Sequence, residues 1–208
     1  MTAPRVVLAS ASPARLSTLQ RAGIMPQVEV SGIDEDALRA DSVQELVSAL
    51  ARAKAEAVAA RRVGAGGDGE SGDEVIIGCD SLLELDGLAL GKPADATDAV
   101  RRWRLMRGRS GVLHTGHHVI RLPGGAARTA TASTTVYFAD LDNAEIDAYV
   151  ATGEPLVVAG AFTIDGLGGP YITRIEGDPH NVVGISLPLV RLLLADLGVS
   201  WASLRAPA

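Results

Sequence analysis

The 208-residue sequence predicts an α/β protein built on a mixed sheet, and three observations support this prediction. Residues 75–79 form an apolar run, which is typical of a strand that is covered on both faces. Two longer runs, residues 112–122 and 129–139, are joined by Pro123-Gly-Gly125 and predict an antiparallel pair. Helical patterns with clear start and stop signals lie between the strands. Because helices alternate with strands of both kinds, we expect an α/β class with mixed α+β character.

The composition is that of a single domain spanning residues 1–208. Hydrophobic residues make up 47% of the chain and aromatic residues only 3%, so we expect a sizeable core that is mainly aliphatic. The formal net charge is −6 without a basic block, which argues against a nucleic-acid partner. No apolar run approaches the roughly 20 residues that span a bilayer, and the only cysteine, Cys79, cannot form an internal disulfide. We therefore expect a cytoplasmic protein with no membrane partner.

The first part of the chain predicts a strand, a helix and a second strand. Residues 6–9 are apolar and predict a buried strand. Ser12 is a typical N-cap and Pro13 suits the first helical position, so we expect a helix that begins here and ends at Gly23. Alternation of apolar and polar residues over residues 28–30 predicts a short second strand.

The clearest helix follows an acidic loop at residues 34–36. It opens with a capping box at residues 42–45 and is predicted to run to about Arg62. Its period places Lys54 on the inward face. The apolar stripe on that face consists of Val43, Leu46, Val47, Leu50, Ala57 and Val58.

A glycine-rich segment, residues 64–72, predicts a flexible surface loop. The apolar strand 75–79 is expected to end at Asp80 and Ser81, and residues 82–90 predict a hairpin that turns at Asp-Gly. The remaining elements are predicted from the same signals. They are a helix around residues 100–106, a helix over 145–150, a glycine-rich turn over 160–169, a strand over 171–175 and a helix from about Ser186 to Gly198.

A candidate phosphate site lies where the first strand leads into the first helix. Ser10, Ser12 and Arg15 bring hydroxyls and a guanidinium to free backbone N–H groups, a combination that binds phosphate. Helix capping alone explains Ser12 and Pro13, but it leaves Ser10 and Arg15 unexplained.

Three charges, Arg15, Lys54 and Asp80, fall where an ordinary domain places apolar residues. An unpaired buried charge costs several kcal/mol, so these groups need each other or a ligand. One interpretation is an internal Lys54 to Asp80 salt bridge. The other is that Arg15, Lys54 and Lys92 receive a polyphosphate, while Asp80 and Glu35 face a divalent cation and a water molecule.

The histidines offer a different constellation, since strand alternation puts His114 and His118 on one face and His117 on the other. Without a third ligand at suitable spacing, we expect a solvated strand face rather than a zinc site. Cys79 is expected to be a buried core residue and not a nucleophile. Residues 180–181 are interpreted as a turn.

In their order and spacing these segments resemble the Maf family of nucleoside triphosphate pyrophosphatases over nearly the whole chain. The segments that carry the resemblance are Ser10-Ala-Ser-Pro-Ala-Arg15, Ile33-Asp34-Glu35, Lys54-Ala55, Gly78-Cys-Asp80-Ser81, Gly91-Lys92-Pro93, His114-Thr-Gly116, Gly153-Glu-Pro155, Ala159-Gly160 and Asn181-Val-Val-Gly184.

The resemblance implies hydrolysis of an ordinary or modified nucleoside triphosphate, between the α and β phosphorus atoms, with Mg²⁺ or Mn²⁺. It implies that Asp80 accepts a proton from a metal-bound water, that Glu35 helps Asp80 to hold the metal, and that Lys54 and Lys92 bind the phosphates. The other phosphate-binding residues are expected to be Ser10, Ser12 and Arg15. The implied fold is elongated and Maf/inosine-triphosphatase-like, with two lobes around a twisted sheet, a central cleft and a possible homodimer.

Three positions depart from the family pattern. Ala14 replaces an arginine, Ser81 follows the catalytic acid, and Asp165 stands where better-known branches have Gln or Glu. The family associates these positions with the choice of base, so we expect them to set specificity. Two alternatives stay open: a nucleotide-binding regulator of cell division without turnover, and a general phosphatase that releases orthophosphate.

Overall fold

The computed structural model describes residues 3–65 and 73–205, a part of the chain that contains six α-helices and seven strands. In chain order these are β1 (Arg5–Leu8), α1 (Pro13–Arg21), β2 (Gln27–Val28), α2 (Val43–Ala65), β3 (Glu74–Leu85), β4 (Leu88–Leu90), α3 (Ala96–Met106), β5 (Ser110–Leu122), β6 (Ala126–Phe138), α4 (Asn143–Ala151), β7 (Ile172–Glu176), α5 (Pro179–Val183) and α6 (Leu187–Asp196).

The strands form one mixed sheet in the order β2-β1-β3-β5-β6-β7, and β4 pairs with β3. The three strands β2, β1 and β3 are parallel, whereas β3, β5, β6 and β7 are antiparallel to their neighbours. The predicted α/β class with a mixed sheet is therefore confirmed. No helix in the two described stretches is long and apolar enough to cross a membrane.

Most elements lie where the sequence places them. Ser12, Ser42 and Ser186 each accept a backbone N–H at the start of a helix, and the β3–β4 hairpin turns at Asp86-Gly87. The helix that was predicted to end near Arg62 continues to Ala65. Of the predicted loop at residues 64–72, the first two residues therefore belong to α2, and residues 66–72 lie outside the described part.

Strand β3 differs from its prediction, because it does not end at Asp80. It continues to Leu85, with Asp80 opposite Gly116 and Ser81 opposite Thr115 of β5. On its other edge, β3 pairs with β1 only as far as Ile77 and with β4 only from Leu83. Residues 78–82 thus have a strand neighbour on one side only, and this gap in the sheet edge is where the cleft opens.

Helix α2 covers one face of the sheet at very short range. A Cβ added at Gly116 of β5 would lie 2.1 Å from the Val47 carbonyl oxygen, and one at Gly78 of β3 would lie 2.3 Å from that of Ala51. Side chains of β3 and β5 that share the face of these glycines therefore point toward α2. Asp80 is one of them, because alternate residues of a strand share a face.

The apolar residues form separate cores along the sheet. A first core joins β1, α1, α6 and the first half of β3, and includes Leu19, Cys79 and Leu194. A second core joins α3, α4 and the second half of β3, and includes Leu83 and Trp103. Between Cys79 and Leu83, β3 passes from one core to the other, so the gap in its edge lies between them.

Candidate active site

A cavity of about 590 Å³ opens at the gap in β3. Its lining includes every residue that the sequence predicts to bind phosphate, to hold the metal or to select the base. These are Ser10, Ser12, Ala14, Arg15, Glu35, Lys54, Asp80, Ser81, Lys92 and Asp165. They come from the β1–α1 connection, the acidic loop, α2, β3, the segment after β4 and the glycine-rich turn, so folding alone brings them together.

Arg15 is buried at the start of α1 with neutral partners. Its Nε donates to the Gly184 carbonyl at 2.7 Å, and its two terminal nitrogens donate to Ser10 Oγ at 3.0 Å and Ser81 Oγ at 2.9 Å. Within the described residues, no carboxylate lies within ion-pair distance of this guanidinium. The group therefore presents an uncompensated positive charge, which favours an anion in the cleft.

The serines of the first loop are held by local hydrogen bonds. Ser10 Oγ accepts from the Ser12 N–H at 3.2 Å, and Ser12 caps α1 by accepting from the Arg15 N–H. Pro13 has no N–H and the Arg15 N–H is capped, so the first turn of α1 leaves the Ala14 N–H without an intrahelical partner. Hydroxyls and N–H groups at a helix N-terminus are suited to phosphate oxygens.

Lys54 is the centre of a three-membered charge cluster. Its Nζ lies 2.5 Å from Asp80 Oδ1 and 2.8 Å from Glu35 Oε1. Lys54 and Asp80 are buried, whereas the Glu35 side chain is 55% exposed. The internal salt bridge that the sequence left open is therefore present, but the second carboxylate gives the cluster a net negative charge.

This cluster has a donor set that fits a hard divalent cation. Each carboxylate uses one oxygen toward Lys54, so Asp80 Oδ2 and Glu35 Oε2 are not engaged by that ammonium. In residues 3–65 and 73–205 there is no group of three or more histidine, cysteine or acidic side chains that could hold a metal. Mg²⁺ is commonly held by one or two carboxylates and completes its shell with phosphate oxygens and water, which matches a site with two carboxylates.

The lining of the cleft also includes apolar side chains and Asp165. Leu50, Leu113, Phe162 and Val182 are among the apolar residues, and Asp165 is exposed. A flat base can pack against such side chains while a carboxylate accepts its N–H groups.

Lys92 stands exposed at the rim of the cleft. Its backbone is fixed from α3, because Arg102 donates to the Gly91 carbonyl at 2.7 Å and to the Lys92 carbonyl at 3.4 Å. The ammonium is therefore attached to a segment that α3 holds in place.

The histidines do not form the solvated strand face that was predicted. His114, His117 and His118 are all at most 4% exposed, because helices cover both faces of β5. Their rings bond to Ser133 and Glu84, to the Ser186 N–H, and to Thr129, respectively. Cys79 is a core residue as predicted, and burial raises the pKa of its thiol to about 11.

Sequence reasoning missed α5, because residues 180–181 are helical and not a turn. Asn181 is fully buried, and its Nδ2 donates to the Leu113 carbonyl at 3.1 Å and to Thr134 Oγ1 at 3.0 Å. The helix sets Val182 and Val183 along the cleft. Its signals were present, with Asp178 as N-cap, Pro179 after it and a left-handed Gly184 at the end, but over only five residues.

Comparison with known proteins gives a consistent result. A family model described as "Maf-like protein" matches residues 5–197. A protein of Salinispora tropica named nucleoside triphosphate pyrophosphatase is 59% identical over 195 residues, which cover 94% of this chain and 84% of that one. Proteins with the same name from Streptomyces coelicolor and Cutibacterium acnes are 55% and 54% identical, covering 98% and 95% of this chain and 96% and 93% of their own.

Proposed function

Because this chain belongs to the Maf-like protein family, we propose that it is a nucleoside triphosphate pyrophosphatase that yields a nucleoside monophosphate and pyrophosphate. One observation in the cleft supports this reaction on chemical grounds. A buried carboxylate, Asp80, lies 2.5 Å from Lys54 in the same cavity as the buried guanidinium of Arg15, whose partners are neutral. A proton acceptor and an unneutralised cation in one cavity suit attack on a polyphosphate.

The triphosphate binds at the end of the cleft formed by α1 and the first loop. Arg15 is aimed into that end by Ser10, Ser81 and the Gly184 carbonyl, and Ser12 stands beside it. Lys92, on the segment held by α3, lines the same cleft. The base is then placed against apolar side chains of the lining, beside Asp165.

Water attacks the α phosphorus in line with the oxygen that bridges to the β phosphorus. Asp80 takes the proton of the attacking water, and the bond between the α phosphorus and the bridging oxygen breaks. Arg15, Lys54 and Lys92 balance the charge that collects on the departing pyrophosphate. Asp80 then returns the proton to solvent.

Asp80 and Glu35 would hold the divalent cation, Mg²⁺ or Mn²⁺. The cation would supply Lewis acidity at the phosphate oxygens and make a coordinated water easier to deprotonate. Lys54 keeps both carboxylates at the same point of the cleft, which fixes the two ligands relative to each other.

The test is pyrophosphate release from a panel of ordinary and modified nucleoside triphosphates, with and without Mg²⁺ or Mn²⁺. Asp80→Asn keeps the shape of the side chain and removes the proton acceptor, so we expect kcat to fall by about a hundredfold or more. Nucleotide binding should be retained. Asp86→Asn is the matched control, since Asp86 lies in the β3–β4 turn and pairs with Arg109 outside the cleft.

The products and the variants separate the alternatives. A general phosphatase would release orthophosphate, and a regulator would bind nucleotides without either product. Full pyrophosphate release by Asp80→Asn would refute the role given to this carboxylate.

A further inference from the structure

The glycine-rich turn that carries Asp165 is anchored before it enters the cleft. Trp103, in the second core, donates its Nε1–H to the Ala161 carbonyl at 2.8 Å. Ala161 has a φ of 61°, a left-handed conformation that is uncommon for alanine and needs such support. Phe162 then packs edge-on against Phe138, with ring centroids 5.1 Å apart.

A second anchor holds the turn from behind, through Glu154. Its Oε1 accepts from Tyr149 Oη at 3.0 Å, Thr163 Oγ1 at 2.6 Å and the Gly168 N–H at 2.9 Å, while Oε2 accepts from the Leu167 N–H at 2.9 Å. Burial alone raises the pKa of Glu154, but these hydrogen bonds outweigh it and leave the pKa below its ordinary value. The carboxylate thus links the two ends of the turn, because it accepts from Thr163 at one end and from Leu167 and Gly168 at the other.

The backbone of the turn lies very close to this carboxylate and to Tyr149. A Cβ at Gly166 would lie 2.3 Å from Glu154 Oε2, and a Cβ at Gly168 would lie 2.4 Å from Tyr149 Oη. A side chain at either position would therefore displace the Glu154 carboxylate, the Tyr149 hydroxyl or the backbone of Thr163. Asp165 stands between the Thr163 and Leu167 contacts, so its place in the cleft follows from the placement of the turn.

We propose that Glu154 is a positioning residue that fixes the 163–168 turn and thereby sets affinity for the base, without taking part in the phosphate chemistry. Glu154 is not among the residues that line the cleft, so it acts through Thr163, Leu167 and Gly168. The phosphate-binding groups Arg15 and Lys54 come from other elements. The inference rests on the proposed function for the identity of the ligand.

The test compares Glu154→Gln with the wild type in three measurements. Glutamine has the same shape, but its amide nitrogen must face N–H or O–H donors that the carboxylate accepts. We expect KM for the preferred nucleotide to rise about tenfold, the effect of losing a hydrogen bond to a charged group, and the preference between bases to narrow. We expect kcat to stay within about threefold and the inhibition constant of inorganic tripolyphosphate, which has no base, to stay unchanged.

Two further variants keep the result interpretable. Glu145→Gln is the matched control, because Glu145 bonds only within the capping box of α4, and it should behave as wild type. Tyr149→Phe removes one of the four donors to Glu154, the one that α4 supplies, and leaves the residues of the turn unchanged. It should weaken the anchoring of the turn less than Glu154→Gln does, and so shift KM in the same direction by less. It also covers the case in which Glu154→Gln does not fold.

Direct binding by calorimetry without metal gives a readout that does not depend on turnover. If Glu154→Gln loses affinity for the nucleotide but keeps its affinity for tripolyphosphate, the role of Glu154 is supported. This holds even if the wild type releases no pyrophosphate, a result that would contradict only the proposed function. A fall in kcat at unchanged KM and base preference, a parallel loss of tripolyphosphate binding, or no change in any of the three would overturn the inference.

Discussion

The two buried cations of the cleft are held in different ways. Lys54 contacts two carboxylates, whereas Arg15 bonds to two hydroxyls and a carbonyl. Neutral oxygens satisfy the geometry of a guanidinium but do not cancel its charge. Arg15 therefore contributes most when an anion is bound, while Lys54 also stabilises the empty protein.

His117 makes stability depend on pH. It is fully buried, and its Nε2 accepts the Ser186 N–H at 2.9 Å. Burial, and next the charge of Arg15, lower its pKa from 6.5 to about 4. Below pH 6.5 the unfolded chain binds a proton at His117, whereas the folded chain does not bind it until about pH 4. The contribution of neutral His117 to the free energy of unfolding is therefore complete above pH 6.5 and is lost as the pH falls toward 4.

Between pH 7.5 and 5.0 we expect His117 to account for a loss of about 2 kcal/mol in the free energy of unfolding. Urea unfolding of the wild type and of His117→Gln at both pH values measures this contribution. Glutamine offers an acceptor oxygen to Ser186 but does not titrate, so its loss should be smaller. Equal losses in the two proteins would show that other groups cause the pH dependence.

At the scale of elements, helix α2 packs very close to the sheet. Gly78 and Gly116 let the backbone of the helix lie directly on β3 and β5. This approach brings Lys54 within 2.5 Å of Asp80, since both side chains leave the facing surfaces. The distance between the helix and the sheet is thus part of the site.

Gly116→Ala should destabilise the protein by about 3 kcal/mol or more, because its Cβ would meet the backbone of Val47 at 2.1 Å and α2 would have to move. Gly64→Ala, in the last turn of α2, is the matched control. A Cβ there meets nothing within 4 Å in the described part of the chain, and alanine favours helix by about 0.5–1 kcal/mol. Chemical denaturation of both variants checks the pair, and comparable stabilities would contradict this account of the packing.

The sequence predicts helices and strands well where local signals are strong. It predicts them less well where pairing with a distant strand sets the end of a strand or the burial of its faces. Caps and the helical period place α1, α2 and the inward side chain of Lys54. The predicted end of β3 was wrong, because the polar residues Asp80 and Ser81 do not end the strand. Pairing with β5 continues as far as Glu84. The prediction that the histidines of β5 lie on a solvated face was wrong for a related reason. Alternation of residues along one strand does not reveal that both faces of a central strand are covered.

At the scale of the whole molecule, the cleft lies where β3 passes between two cores. Arg15 and Ser10 are attached to the first core, whereas Asp165 and Lys92 are attached to elements of the second. Each of these segments could be recognised from its residues, but the gap between β1 and β4 that brings them together depends on strand register. Register between distant segments is not visible in local patterns.

A ligand that fills the phosphate end should stabilise the whole molecule. At a tripolyphosphate concentration of 100 times Kd, we expect a gain of about 2.7 kcal/mol in the free energy of unfolding, which scanning calorimetry detects as a rise in Tm. Arg15→Met should abolish this rise. Arg109→Met, which removes an arginine that pairs with exposed Asp86, should leave it intact, and an equal rise in both variants would rule out Arg15 as the anion site.

The gap in β3 also bears on how the protein avoids aggregation. An unpaired strand edge is a template on which a second chain can add its own strand. Here the long strands β3, β5 and β6 lie inside the sheet. Among the described residues, β3 lacks a second strand neighbour over residues 78–82, and Asp80, Ser81 and Leu82 of this stretch line the cleft, where a small ligand fits. In the described part of the chain, the strands at the sheet edges are the two-residue β2, the three-residue β4 and the five-residue β7, which carries the charged Arg174 and Glu176. The backbone edge that serves the ligand is thus kept from intermolecular strand pairing.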